Sequence, residues 1–331
     1  MPVVSIVIPI YNVAEYLSTC LQSVTQQTYK DIQVILVDDG STDQSSSICD
    51  QFAGRMSTQV DVIVIHQRNS GLSAARNRGL ERATGRFILF LDSDDYVHQT
   101  LVADCVAELT AHSYDIVFFN YDRIAAGRHR TNNRFPHYRS GNSSQVLQSI
   151  FSHHLDNFAW SFMALRDLYD GIRFPLARNY EDRATTYRLV GRAKAIGFIS
   201  RSLYYYRVRQ DSITKNFADG DAKSEVTTYH EQYSWIVDRY PALANAQQRY
   251  FVQELMNDFG DTVRPISFKA NITSRYILKH LIHDIVSDTG IRGYPGSFFV
   301  KYWLMRLGIL HTLQYLKSYF FYFKGLRRVI N

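Results

Sequence analysis

Three aspartates stand in the four-residue string Asp92-Ser93-Asp94-Asp95, directly after the apolar run Phe87–Leu91. Carboxylates this close repel one another unless a cation neutralises them. Hard oxygen donors suit Mg2+ or Mn2+, ions that also hold phosphates. The same residue types make turns and cap helices, but their place at the end of a hydrophobic run favours a metal–phosphate site. A second acidic pair, Asp38-Asp39, ends the run Ile32–Val37 and precedes Gly40-Ser41. An ionised Asp only accepts hydrogen bonds, so this pair suits either a turn or the N–H groups of a base. In Asn69-Ser70-Gly71-Leu72-Ser73-Ala74-Ala75-Arg76-Asn77 a glycine loop leads to Arg76, whose guanidinium matches a phosphate or a base. The spacing is neither a GxGxxG fingerprint nor a P-loop, so NAD and ATP are not supported. Glu181-Asp182 opens a later helical segment, where the helix dipole favours acids.

These groups need a scaffold, and the flanking pattern supplies one. Val3–Pro9, Ile32–Val37, Val60–Ile65, Phe87–Leu91 and Asp115–Tyr121 read as strands. Between them run helices: one from Val13 to Val24 behind an Asn12/Glu15 capping box, then Asp43–Met56, Ser73–Ala83 with Gly85 punctuating its end, and Val97–Ala111. Strand–helix alternation of this kind predicts an α/β fold, with a mostly parallel sheet flanked by helices. Ligands in such folds bind beyond the carboxyl ends of the strands. Tyr11-Asn12, Asp38-Asp39, Asn69 and Asp92–Asp95 all fall there.

Further along, Arg123–Gly141 reads as a loop or exposed hairpin, and Ser144–His154 and Asn179–Val190 as helices. Ala195–Ile199 and Leu203–Arg207 read as two short strands. From Asp219 the pattern is helical over 219–239, 242–259, 273–288 and 298–324, with Pro241, Pro265 and Pro295 between the pieces.

The 331 residues are 46% hydrophobic and 21% charged, which excludes a collagen, a coiled coil and wholesale disorder. Cys20, Cys49 and Cys105 share no close spacing, which argues against a zinc site or a disulfide framework and fits a reducing, cytosolic setting. The first residues do not read as a signal peptide. The formal charge is +6, yet residues 291–331 alone hold seven Lys/Arg and no Asp/Glu, leaving the rest nearly neutral. A nucleic-acid enzyme would spread that charge along a groove, so no nucleic-acid partner is expected.

Four motifs, PIYN (9–12), VDDGSTD (37–43), NSGLSAARN (69–77) and FLDSDD (90–95), resemble glycosyltransferase family 2 in order and spacing. YEDRATTYRL (180–189) and YYYRVRQDSIT (204–214) resemble the acceptor half of bacterial members that build capsule, exopolysaccharide and O-antigen. The resemblance implies a GT-A (Rossmann-like) catalytic domain over 1–217, with a nucleotide-sugar half (1–125) and an acceptor half (126–217), then a helical region, 218–331. It implies a UDP-sugar donor, a Mn2+ or Mg2+ cofactor and an inverting transfer of one sugar. Pro9 and Tyr11 would border the uracil, and Asp39 would accept from its N–H. Arg76 would hold the base side of the nucleotide, with Asp38, Asn69, Ser93 and Glu181 beside the substrates. Asp92 would meet the ribose or the metal, Asp94 would hold the metal, and Asp182 would be the general base. Arg207 and Arg209, with Ser212, would fold over the diphosphate.

Where relatives carry Trp-Asn/Gly-Lys-Leu-Tyr, this chain has Trp160-Ser161-Phe162-Met163-Ala164, so Trp160 either stacks on a sugar or belongs to the core. The QxxRW string of processive synthases is absent, which favours single-sugar transfer. A non-catalytic GT-A-like nucleotide-sugar-binding or scaffold protein, or a nucleotidyltransferase, is the other reading.

The tail 298–324 is rich in aromatics and interrupted by Lys301, Arg306, His311 and Lys317. That pattern suits an interfacial helix on an anionic membrane surface better than a spanning one. A helix packed on the catalytic domain or on a second copy of the chain is the alternative. The implied setting is peripheral, at the inner face of a bacterial cell membrane, with a polyprenyl-diphosphate-linked saccharide as acceptor.

Overall fold

The computed structural model describes residues 3–56, 60–125, 128–132, 135, 138–208, 219–261, 272–289, 294 and 296–306. The chain divides into two compact units, Met1–Arg209 and Gln210–Asn331.

The first unit is a single sheet with helices. Its first strands are β1 (Val4–Ile10), β2 (Ile32–Asp38), β3 (Asp61–His66) and β4 (Phe87–Phe90), followed by the two-residue β5 (Tyr96–Val97). β6 (Ile116–Ala125), β7 (Arg128–Thr131), β8 (Ser140–Gly141), β9 (Phe162–Leu165) and β10 (Ile196–Arg207) complete it. Its order is β3-β2-β1-β4-β9-β6-β10-β5, with β7 paired to β6 and β8 to β10. From β3 to β4 every pairing is parallel. Beyond β4 the sheet is mixed, because β9 runs antiparallel between β4 and β6. This strand is the main departure from the expected sheet. Its four residues, FMAL, are apolar but too short a run to separate strand from buried helix by period.

The helices of this unit are α1 (Ala14–Thr25), α2 (Ser45–Met56), α3 (Leu72–Arg82), α4 (Leu101–Ala111), α5 (Ser143–Phe151) and α6 (Glu181–Arg192). From β1 the chain passes to β2 on one side and later to β4 on the other. The carboxyl ends of these parallel strands therefore flank a point where the strand order reverses, the usual crevice for a ligand. Pro9 is tolerated inside β1 because β4 pairs only as far as Val7↔Phe90, so no ladder bond from residue 9 is lost on that side.

Several local expectations change. Asn12 does not cap α1; its backbone is left-handed (φ 47°), and its side-chain carbonyl accepts from Thr42 N at 2.7 Å. The first N–H groups of α1 are satisfied from across the crevice instead, Val13 N by Ser45 Oγ (3.0 Å) and Ala14 N by Asp43 Oδ2 (3.0 Å). Gly85 does not end α3. A Cβ there would lie 2.5 Å from Ser5 N, so the glycine permits close approach of the chain to β1. The two strands expected around Arg201 are one strand, β10, with irregular register between Ile199 and Tyr204. Helix α4 starts at Leu101, because Tyr96-Val97 pair with β10 as β5.

The second unit is helical: α7 (Asp219–Arg239), a short 3-10 turn at Pro241–Leu243, α8 (Ala244–Asp261), α9 (Ile272–Thr289) and α10 (Gly296–Arg306). Its interior includes paired amides, with Gln247 Nε2 donating to Gln232 Oε1 at 3.1 Å. The expected tail helix is described only to Arg306; its remainder lies outside the described residues, as do Arg209 and Ser212. Among the described residues no helix is long and apolar enough to cross a membrane.

Candidate active site

After β4 the chain turns sharply, with Asp95 N donating to the Asp92 carbonyl at 3.0 Å. The turn is braced by β10. Tyr204 Oη accepts from Asp92 N (3.2 Å) and donates to Asp95 Oδ2 (2.7 Å), and Arg207 N donates to Asp95 Oδ1 (2.7 Å). Asp95 is therefore a buried structural carboxyl. Burial pushes its pKa up, and the charges of Asp94 and Asp92 add to the rise. Ser93 is buried as well. Asp92 and Asp94 remain partly open to solvent. Arg207 Nε donates to the Asp94 carbonyl at 3.0 Å, and its guanidinium lies over the rings of Tyr16 (4.9 Å) and Tyr96 (5.6 Å).

Arg76 sits beneath this turn. It projects from α3, is 1% exposed, and lies over the rings of Phe90 (5.9 Å) and Phe174 (5.4 Å). Its Nη2 donates to Asp92 Oδ1 at 3.0 Å; its Nη1 donates to Glu181 Oε1 and, at 3.1 Å, to Asp182 Oδ1. Burial alone would lower the Arg76 pKa, but Asp182, Asp92 and Glu181 more than offset it and raise it. The sequence reading put this arginine on the nucleotide. In the structure its guanidinium meets three carboxylates, which neutralise the buried cation where it stands.

Glu181 and Asp182 form the first turn of α6, behind Tyr180, which takes a left-handed backbone (φ 58°). The Asp182 side chain is 16% exposed. Burial pushes its pKa up to about 7; Arg76 opposes the rise, Glu181 and Asp92 add to it, and a hydrogen bond from the Ala159 backbone opposes it again. A carboxyl poised near neutrality beside an open turn can take a proton.

The other acidic pair has two different fates. Asp38 accepts from Ser41 N (3.0 Å), from Ser46 Oγ and from His66 Nδ1 (2.8 Å). Burial pushes the Asp38 carboxyl up, but these hydrogen bonds overcome it and hold the pKa below the usual carboxylate value. Its Oδ2 is engaged twice and its Oδ1 once by the scaffold. Asp39 accepts from Gln67 Nε2 (2.7 Å) and Ser70 N (2.9 Å) through Oδ1, and from Gly71 N (2.8 Å) through Oδ2. It shapes the exposed Asn69–Gly71 loop and keeps one lone pair on Oδ2 for a further donor. Gly40 is required beside it. Its φ is +75°, and a Cβ there would lie 2.8 Å from Asn69 N. Tyr11 presents a ring that is 50% exposed at the end of β1, and Pro9 is buried just before it.

Trp160 is core. It is buried between Phe158 (4.9 Å, 10°) and Tyr204 (4.2 Å, 13°), so it offers no open face to a sugar. The residue that sequence reasoning missed is Tyr204, which ties the Asp92–Asp95 turn to that stack. Its only signal was the Tyr204-Tyr205-Tyr206 run.

Among the described residues no three His, Cys, Asp or Glu side chains gather into a ready-made cation cage. Asp92 and Asp94 still fit a hard divalent ion. Mg2+ sites commonly rest on one or two carboxylates and take their remaining ligands from water and substrate phosphates. Asp92 Oδ2 and the Asp94 carboxylate would hold the ion.

Residues 5–172 match the family model described as Glycosyl transferase family 2. Glycosyltransferase GlyG of Streptococcus pneumoniae serotype 4 is 33% identical over 233 residues, covering 65% of this chain and 74% of that protein. EpsH of Bacillus subtilis is 29% identical over 242 residues, 71% of this chain and 69% of that one. The crystal structure of S. aureus TarS 1-349 in complex with UDP-GlcNAc superposes with a TM-score of 0.68 at 19% identity, covering 98% of this chain and 92% of that one.

Proposed function

The chain belongs to glycosyl transferase family 2 and has its GT-A fold, and from that premise we propose that it moves one sugar from a UDP-sugar to a saccharide acceptor with inversion at the anomeric carbon. The observation that carries this reading is the buried Arg76, which joins Asp92 of the strand-end turn to Asp182 of α6. In this reading a donor-side carboxylate and an acceptor-side carboxyl, its pKa pushed up to about 7, are thereby held on one guanidinium. The UDP-GlcNAc bound in the TarS structure supports a uridine donor.

In this reading Tyr11 stacks on the uracil and Asp39 Oδ2 accepts from its N–H. Pro9 and Asn69 border the base. Asp92 and Asp94 face the diphosphate, where a bound Mg2+ or Mn2+ ion supplies Lewis acidity for the leaving group. Arg207, stacked on Tyr16 and Tyr96, presents its Nη atoms to the phosphate oxygens. Asp182, oriented by Arg76 through Oδ1, takes the acceptor hydroxyl proton as that oxygen attacks. Glu181 shares Arg76 with Asp182.

The acceptor in this reading is lipid-linked, and the protein is peripheral at the inner face of a bacterial membrane. Helix α10 supports that setting. Phe298, Tyr302 and Met305 are buried, whereas Val300 and Trp303 are exposed between the exposed Lys301 and Arg306. An apolar stripe flanked by basic side chains suits an anionic surface.

Incubation with Mn2+ and a panel of UDP-sugars, read by UDP release, tests the proposal. Release above buffer that is lost on Asp182→Asn supports it. No release from any UDP-sugar counts against it.

A further inference from the structure

We propose that His66 is a positioning residue of the donor site, whose imidazolium form, bridging Asp38 and Asp50, makes UDP binding proton-linked and stronger with the ring charged than with it neutral; the inference rests on the UDP-sugar reading above. His66 ends β3 and pairs in register with Asp38 at the end of β2. Its Nδ1 lies 2.8 Å from Asp38 Oδ2, and its Nε2 lies 3.0 Å from Asp50 Oδ1 on α2. A carboxylate only accepts, so both ring nitrogens must donate, and only the imidazolium carries two N–H groups. The bridge therefore ties β2, β3 and α2 together in one charge state alone.

The side chain is 44% exposed, so water can take its proton. The hydrogen bonds to Asp38 and to Asp50 hold the imidazole pKa above its ordinary value, while partial burial opposes them. Cys49 of α2 lies near both carboxylates as well. Burial, with Asp38 and Asp50 adding to it, pushes that thiol up to about 12, so it stays uncharged where histidine titrates. When the ring is neutral, one of its nitrogens presents a lone pair to a carboxylate. Asp38 is buried and cannot turn to water, whereas Asp50 is exposed and can. The neutral ring therefore keeps Nδ1–H on Asp38 and releases Asp50, and α2 loses this tie to β3.

Short runs of hydrogen bonds join this bridge to the two groups that face the uracil in that reading, Asp39 and Tyr11. Gln67, the residue after His66, donates from its backbone N to the Asp38 carbonyl (2.9 Å) and from Nε2 to Asp39 Oδ1 (2.7 Å). On the other side Asp38 Oδ1 accepts from Ser41 N (3.0 Å), Ser41 Oγ accepts from Asn12 N (3.1 Å), and Asn12 follows Tyr11. Helix α2 also borders the crevice. Ser45, its first residue, accepts from Val13 N, and Ser46 donates to Asp38. The protonated bridge holds these parts in one arrangement. By linkage, UDP must in turn tighten the hold of His66 on its proton.

Calorimetric titration of UDP into the full chain with Mg2+, from about pH 5.5 to about pH 8.5, tests the proposal when set beside His66→Gln, whose amide still donates to Asp38 but does not titrate. The ionisations of the diphosphate and of Asp182 are common to both proteins, so the difference between their profiles isolates His66. Across that window the affinity of the unsubstituted chain should fall by about threefold more than that of the variant, the order expected of a partly exposed ion pair. Asp50→Asn, at an exposed position, should remove most of this extra fall, and it carries the same test if His66→Gln does not fold. In NMR titrations of the full chain, the His66 ring, identified by its shift in Asp50→Asn, should show a higher midpoint with UDP than without. Parallel affinity profiles in the unsubstituted chain and the variants, or a His66 midpoint that UDP leaves unmoved, overturn this proposal alone. Failure of the unsubstituted chain to bind UDP at any pH overturns the donor reading and this proposal with it.

Discussion

Arg76 and Asp182 lie 106 positions apart in sequence and meet at 3.1 Å, with the arginine also holding Asp92 at 3.0 Å. A cation that is 1% exposed cannot be stable without its carboxylates, and they cannot be crowded together without it. Arg76 therefore holds Asp92 and Asp182 in place, and in the proposed reading its loss is felt both in stability and at Asp182.

Arg76→Met is expected to destabilise the fold by about 3–5 kcal/mol, the usual cost of stranding the partners of a buried ion pair. Denaturant unfolding measures it. In any variant that still folds, Asp182 loses its neutralising partner, so the activity profile should shift to higher pH. A midpoint unchanged within error would show that the guanidinium is solvated and not buried.

Asp182→Asn should lower turnover by about 10²–10⁴-fold, the usual contribution of a general base, with little change in UDP affinity. The pH dependence follows from the carboxyl being pushed up to about 7. The base is the deprotonated form, so kcat/KM should rise with pH through neutrality and then level off. Stability has the opposite sign. The folded pKa lies above the unfolded value, so the contribution from protonation is complete below about pH 4 and is lost as pH rises toward 7. Thermal midpoints should fall across that window, and less so in Asp182→Asn.

Much of this site was legible in the sequence because its parts lie at strand ends. Asp39, Asn69 and Asp92–Asp95 follow apolar runs whose period and punctuation fix where the chain turns. The roles within each pair were not legible. Asp38 and Asp39 are adjacent, yet one is spent on Ser41, Ser46 and His66 while the other shapes the Asn69–Gly71 loop. Only tertiary contacts separate them. Strand β9 was hidden because four apolar residues carry no usable period. The cap of α1 was misread because its N–H groups are satisfied by Ser45 and Asp43, roughly 30 residues away, rather than by Asn12.

The α10 stripe predicts membrane binding. The full chain should float with vesicles of phosphatidylglycerol and phosphatidylcholine and not with phosphatidylcholine alone. Trp303→Ser combined with Lys301→Glu should reduce capture several-fold without changing UDP affinity. Equal capture by neutral and anionic vesicles would contradict a charge-guided surface.

The most direct test of the central claim is calorimetric titration of UDP into the protein with Mn2+ and again in excess EDTA. The account predicts saturable binding with Mn2+, weakened at least tenfold by EDTA and by Asp94→Asn, and clearly tighter than for GDP or CDP, since in the proposed reading Asp39 would accept from the uracil N–H. Absence of UDP binding, or binding of equal strength in EDTA, would contradict it.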